Sequence, residues 1–398
     1  MSENSKKVQS NIYAWVILGI AYLATVSTGI MMNKVAPAIP TLVEVFGINL
    51  SQVGLLVSVY AFTSVLLAIP AGLLISRYGQ KTIGILAFLT LIFGSILGAN
   101  SNTFNMMLIS RMLEGLGSAF IVVLAPAAIA RRFSVEKVGM PMGIWSTATP
   151  VGGFIALAYI PDLIDNFGWK TVWWGASAFT LIALVSFVIL YKPLHGDKIK
   201  QDTNADMMAN LRAILKNKNI WIGGIVMMSF AFVIMPIVTY YPTFLTLYKG
   251  FDLGAAGFMV GLISLAILPS SPLIGWFSDL IGSRKKVVIA GFLILLPLFP
   301  ILFHVSGWLI PLFMILIGIG VAAVPTPMFA AATDLVGDVK LSGLAMAVLT
   351  MGLNLGIVFG APIFGALVDS KGWNMAAYIF TPFAILGIVM AVYSKKLK

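Results

Sequence analysis

Apolar runs of about twenty residues recur along this chain from one end to the other. They lie near 12–36, 51–75, 82–99, 104–130, 139–160, 170–191, 219–247, 254–277, 287–305, 308–333, 342–367 and 374–393. At 1.5 Å per residue, each is long enough to cross a ~30 Å hydrocarbon core as an α-helix. Hydrophobic residues make up 60% of the sequence and charged ones 10%, where a soluble domain has about 45–50% and about 25%. The expected fold class is therefore an all-α multi-pass membrane protein with twelve transmembrane helices.

The net charge of +11 would point to nucleic acid in a soluble protein, but its distribution argues for topology instead. Twelve spans place both termini on one side. With the N-terminus inside, 20 of the 25 basic residues fall on the inner segments, among them Lys6, Lys7, Arg131, Arg132, Lys137, the group from Lys192 to Lys218, and Lys340. The outer segments hold Lys34, Lys170, Lys249 and Lys371. Such a bias places both termini in the cytoplasm, with anionic lipid as a possible contact. The partners implied are a lipid bilayer and a solute, not nucleic acid.

The chain has no cysteine, which excludes disulfides and thiolate metal sites. Its two histidines, His195 and His304, stand far apart. There is no G-x-x-x-x-G-K-[ST] nucleotide loop. No metal, cofactor or catalytic residue is expected, and the chain does not read as an enzyme. The first apolar run is too long for a cleavable signal peptide and lacks a small-residue cleavage site.

The longest polar stretch, residues 192–218, lies near the middle of the chain and reads as a cytoplasmic linker between residues 1–191 and 219–398. Within it MANLRAIL could be a short amphipathic surface helix or plain solvated chain. Around it the sequence repeats. A shift of 203 residues carries Gly47, Leu50, Gly54, Gly72, Gly79, Gly115 and Gly117 onto Gly250, Leu253, Gly257, Gly275, Gly282, Gly318 and Gly320. Two parallel six-span halves are a known plan of secondary transporters, with the substrate site near the midplane between them. Gly352, Gly356 and Gly360, four residues apart, line one helix face and allow close helix approach.

Two loops carry a family resemblance. Residues 72–81 read GLLISRYGQK and residues 275–285 read GWFSDLIGSRK. Both resemble the G-x-L-x-D-R-x-G-R-K loop of the major facilitator superfamily, on residues Gly72, Ser76, Arg77, Gly79 and Lys81, then Gly275, Asp279, Gly282 and Arg284. Ser76 replaces the usual Asp of the first copy, while Asp279 keeps it in the second. The resemblance implies that these loops clamp helix ends at the cytoplasmic mouth, and that the first clamp is weakened. Arg111, Gly115 and Gly117 resemble the family's R-x-x-x-G-x-G pattern in the fourth span. Pro150, Gly152 and Gly153 match part of the antiporter G-P-x-x-G-G pattern, with Thr149 at its first glycine. The segment Thr239–Leu245 is similar to one common in organic-anion and nitrate/cyanate branches.

Arg111 and Glu114 are the clearest charges inside a span, and an intramembrane charge is a functional hypothesis by default. Arg111 lies roughly 10 Å below the outer surface and Glu114 one turn deeper. The resemblance implies a first helix that continues past Met32 through Ala36 and Pro37 and sets Lys34 at a similar depth. Lys34 and Arg111 would then bind an anion, with Glu114 as the proton-coupling carboxylate. Two plainer readings stand beside this one: mutual neutralisation of Arg111 and Glu114 across one helix turn, and Lys34 snorkelling to the headgroups. Other candidate substrate-binding residues are Tyr22, Asn33, Tyr60, Trp145, Tyr240, Tyr241 and Asn354.

The function expected from this reading is secondary active transport of a small, anionic solute by alternating access, with protons as coupling ion. The protein would act as a monomer in a bacterial-type inner membrane. The alternatives are proton-linked efflux of drugs or of lipophilic or cationic compounds, which the scarcity of acidic residues disfavours, and an uncoupled facilitator. Because the chain lacks cysteine, one introduced thiol reports topology. Lys371→Cys should react with an impermeant maleimide applied to intact cells and Lys396→Cys should not; the reverse pattern would overturn the assignment.

Overall fold

The computed structural model describes residues 3–133, 139–192, 212–337, 341–394 and 396–397. Most of the linker, with His195 and the start of MANLRAIL, lies outside them, as do Lys137 and Lys340. Helices α1 (Glu3–Asn33), α2 (Val35–Phe46), α3 (Leu50–Tyr78), α4 (Gln80–Ala99), α5 (Phe104–Ala130), α6 (Gly139–Ser146), α7 (Ala148–Phe167) and α8 (Lys170–Leu190) come first. A helical turn α9 covers 212–216 with Ile214 buried and its neighbours exposed. Then follow α10 (Lys218–Lys249), α11 (Leu253–Ile281), α12 (Arg284–Ile301), α13 (Leu309–Ala322), α14 (Pro325–Ala330), α15 (Ala332–Val336), α16 (Ser342–Lys371) and α17 (Trp373–Tyr393).

Eleven of these segments are long and apolar enough to cross a membrane. The twelfth span is α12, whose first turn carries Arg284, Lys285 and Lys286 ahead of an apolar remainder. Three spans are interrupted, which their hydropathy does not reveal. The first breaks at Lys34 and runs on to Phe46, ten residues past the expected end near 36. Pro37 falls in the first turn of α2, where a missing N–H costs little. The fifth turns at Thr147, three residues before Pro150. The tenth turns just before Pro325, which opens α14. In each case a proline withholds one ladder hydrogen bond, and the helix restarts instead of continuing.

The chain packs as two compact units. The first holds the described residues of Met1–Lys34, Thr63–Ala156 and Leu163–Lys200. In it α4 lies against α5 and α8, and α1 against α5 and α8. The second gathers α10 to α17 with Val35–Phe62 and Leu157–Asp162. Its main pairs are α10 with α16 and α17, α11 with α13, and α12 with α17. So α2, the first part of α3 and a short stretch of α7, all from before the linker, pack with helices that follow it.

The repeated glycines have identifiable work in this fold. Gly47 and Gly250 have φ of 61° and 71°, and Gly79 and Gly282 of 85° and 65°, at helix ends where a side chain would be strained. Within the first unit, Gly29 and Gly152 let α1 and α7 touch. A Cβ on Gly152 would lie 2.5 Å from Val26 O and 2.9 Å from Gly29 Cα. That contact gives part of the antiporter-like segment a packing role. Gly152→Leu should therefore destabilise the protein by about 1–3 kcal/mol or more. Gly19→Ala, on the same α1 but with open space around it, should be neutral or mildly stabilising. Thermal unfolding in detergent separates the two.

Candidate functional site

Among the described residues, the interior of the first unit holds three charged side chains with no solvent exposure, Lys34, Arg111 and Glu114. On α5, Arg111 and Glu114 are three residues apart and so share a face. Lys34 arrives from the break between α1 and α2, where its N–H still donates to Ile30 O at 2.9 Å. Its Nζ donates to Glu114 Oε1 at 2.6 Å, to Ser95 Oγ at 2.8 Å and to Met31 Sδ at 3.2 Å. Each ammonium proton thus has an acceptor, and the cation stands 5.0 Å from the centroid of the Trp173 ring. Arg111 Nη1 donates to Glu114 Oε2 at 2.5 Å and to Met31 O at 2.7 Å.

Helix α4 makes room for this cluster. A Cβ on Gly94 would fall 2.9 Å from Glu114 N, and one on Gly98 would fall 2.3 Å from the Trp173 ring. Ser95, between them, donates its hydroxyl to Trp173 O at 2.8 Å. Ser110 Oγ donates to Gly94 O at 2.8 Å and ties α5 to α4. Sequence reasoning missed Ser95 and Trp173. The available signal was the small-residue run Gly94, Ser95, Gly98, which marks α4 as a helix approached closely by others. Two cations share one carboxylate, so the cluster carries a net charge of +1 in an interior closed to water. Both carboxylate oxygens of Glu114 are engaged.

The remaining candidates fall elsewhere. In the first unit, half-buried Tyr22 pairs its hydroxyl with Thr147 Oγ1 at 3.1 Å. Trp145 Nε1 donates to Thr25 Oγ1 at 2.8 Å, and its ring packs against Leu18, Ala21, Ala125 and Ile129. Asn33 Nδ2 donates back to Gly29 O at 2.9 Å. Tyr22 and Trp145 are thus brought to one α1 face, through Tyr22 itself and Thr25. In the second unit Tyr60 is buried. Tyr240 donates to Leu50 O at 2.9 Å and Ala361 O at 2.8 Å, and Tyr241 to Leu302 O at 3.0 Å. Asn354 Nδ2 donates to Thr350 O of its own helix at 2.9 Å.

The two motif loops differ in their attachments. In the first, Gly72 and Ser76 lie in α3, with Ser76 outside the side chains described. Arg77 is exposed beside the Tyr78 ring, and Lys81 is half-buried in the first turn of α4. Gln80 accepts from the Tyr191 hydroxyl. In the second, half-buried Gly275 lies in α11. Asp279 is exposed and forms no ion pair among the described residues. Arg284 bonds Asp334 Oδ2 at 2.5 Å and Ala330 O at 2.8 Å, and Lys285 donates to Val392 O and Ser394 O at the end of α17.

Charge accounting in the cluster gives an asymmetric expectation. Glu114→Gln strands two buried cations and should cost about 3–5 kcal/mol. Lys34→Met leaves a neutral Arg111–Glu114 pair and should be neutral or stabilising. Thermal unfolding of the purified variants checks this. Equal losses would mean that Lys34 does not carry the excess charge.

With this geometry in hand, the relatives place the chain. The sequence profile of the Major Facilitator Superfamily matches residues 21–269 and 245–397. The chain is 22% identical over 396 residues, 98% of either protein, to the uncharacterized MFS-type transporter MJ1560 of Methanocaldococcus jannaschii. It is 23% identical over 64% of each protein to the probable nitrate transporter NarT of Staphylococcus aureus. Among solved structures, the nucleoside transporter NupG superposes with a TM-score of 0.81 at 15% identity, covering 96% of this chain and 100% of that one. The D-xylose-proton symporter gives 0.77 at 15% identity, covering 97% and 98%. These structures share the helical fold, and the chain is a secondary transporter of the Major Facilitator Superfamily.

Proposed function

We propose that this transporter moves a small anion, of the nitrate or short-carboxylate class, together with protons, and sits in a bacterial-type plasma membrane with both termini cytoplasmic. The observation that carries the reading is the net positive charge of the Lys34–Arg111–Glu114 cluster. In a low-dielectric interior an unbalanced cation is felt strongly at several ångströms, and an anion is the species it favours. The likeness to NarT points the same way.

Glu114 links anion to proton in this reading. While ionised it occupies both cations. A proton on Glu114 releases them, and an incoming anion replaces the carboxylate as their counter-ion. Proton and anion therefore favour each other's arrival, and linkage makes the effect reciprocal. Lys34 and Arg111 supply the positive field. Tyr22, Asn33, Tyr60, Trp145, Tyr240, Tyr241 and Asn354 remain candidate lining groups, and Gly72 to Lys81 with Gly275 to Arg284 the candidate gating loops.

Proteoliposomes with an imposed pH gradient test this on nitrate, formate and lactate. Arg111→Gln should abolish uptake. Glu114→Gln should lose pH-driven accumulation but keep exchange of anion for anion. The neutral triple variant Lys34→Met, Arg111→Met, Glu114→Gln should insert and fold but not transport. Normal anion transport by that variant would reduce the cluster to scaffold, and uptake of cationic drugs but no anion would favour efflux.

A further inference from the structure

The second unit contains two helix crossings built on the same plan. In one, α3 meets α16. A Cβ on Gly54 would lie 2.6 Å from both N and Cα of Pro362, and one on Gly365 would lie 2.5 Å from Leu50 O. In the other, α11 meets the 157–162 stretch of α7, and a Cβ on Gly257 would lie 2.1 Å from Leu157 O. Gly54 and Gly257 are equivalent under the 203-residue shift. Each crossing joins a helix from before the linker to one from after it. Both lie at the end that the basic-residue distribution assigns to the outside.

Each crossing also presents a carbonyl freed by proline. Four residues beyond Val358 stands Pro362, and four beyond Leu157 stands Pro161, so neither carbonyl has its helical N–H donor. Ser58 Oγ supplies the missing donor to Val358 O at 2.5 Å. Ser58 has a second acceptor in its own helix, Gly54 O at 2.9 Å. Tyr240 is built likewise. Its one hydroxyl proton is shared between Leu50 O, across the crossing, and Ala361 O, on the neighbouring α16. Asp369 adds its carboxylate to the N–H groups of Leu50 and Ser51 at 3.4 and 3.1 Å, in an exposed position where water can take its place.

We propose that Ser58, Tyr240 and the proline-freed carbonyl of Val358 form a reversible latch that holds the outer end of this transporter shut. When α3 parts from α16, the Ser58 hydroxyl turns to Gly54 O and the Tyr240 hydroxyl to Ala361 O. No buried donor is left unsatisfied, so opening avoids the large penalty of an orphaned group. Val358 O has no such alternative. It has a donor only while the crossing is closed, and this asymmetry biases the latch toward closure. The inference rests on the family membership and the orientation, not on the identity of the solute.

Distance measurement between spin labels at Glu44→Cys on α2 and Lys371→Cys at the end of α16 tests it in the full-length protein, with no substrate required. Ser58→Ala should raise the long-distance population about fivefold, the effect of one net hydrogen bond. Pro362→Ala gives Val358 O an N–H in both states, so by itself it should raise that population by a similar factor. Added to Ser58→Ala it should change little further, a non-additivity that a misfolded variant would not give. Tyr240→Phe should shift the distribution less than Ser58→Ala, because the hydroxyl it removes is satisfied in either state. An unchanged distribution in Ser58→Ala, or further opening when Pro362→Ala is added, would overturn the latch. Such a result would leave the anion assignment untouched, since that is read by uptake.

Discussion

The hydrocarbon core of a bilayer offers no water to a polar group, so polar groups buried there are satisfied mainly from within the protein. The chain meets this constraint first with helices, whose ladders satisfy the backbone internally. The interruptions are where it becomes informative. At Lys34 the first span breaks, and the residue at the break sends an ammonium group into the bundle rather than to the headgroups. At Pro362 a carbonyl loses its donor, and a serine from another helix replaces it.

The charged cluster is the most demanding case of the same rule. A single carboxylate serves two cations, Ser95 and Met31 take the remaining ammonium protons, and an indole face completes the shell around Lys34. Burial of ions is expensive, and replacement by apolar side chains is often neutral or better for stability. A structure that keeps three ions at zero exposure is therefore carrying charge where stability alone would not ask for it. That is why the cluster, rather than the candidate aromatic residues, supports the functional reading.

Glycine provides the other half of the design. Each unit brings helices together until backbone touches backbone, as at Gly29 with Gly152 and at Gly352 with Gly224. The two halves of the sequence use equivalent positions for equivalent purposes. Gly117 meets Leu91 and Gly320 meets Ile294, again 203 residues on. Tyr240 departs from this symmetry, because the position equivalent to it is Pro37. The hydroxyl that joins α10, α16 and α3 thus has no counterpart in the first half.

Much of this was legible in one dimension. Span length and hydropathy determined the helical fold, the constant offset revealed the repeat, and the loop motifs pointed to the superfamily. The rise per residue placed Arg111 and Glu114 at neighbouring depths, the family resemblance implied a similar depth for Lys34, and the structure does bring the three together. Depth along a helix follows from sequence because the rise is constant. The direction a side chain faces among its neighbours does not, since it depends on how every helix in the bundle packs. Only the tertiary structure decided that the cluster is sealed from water and completed by Ser95 and Trp173, and that the Tyr240 hydroxyl is engaged by backbone carbonyls. The same packing allowed α2, the first part of α3 and 157–162 to lie with helices from beyond the linker. Those contacts join residues some two to three hundred positions apart, and no local pattern of residues encodes them.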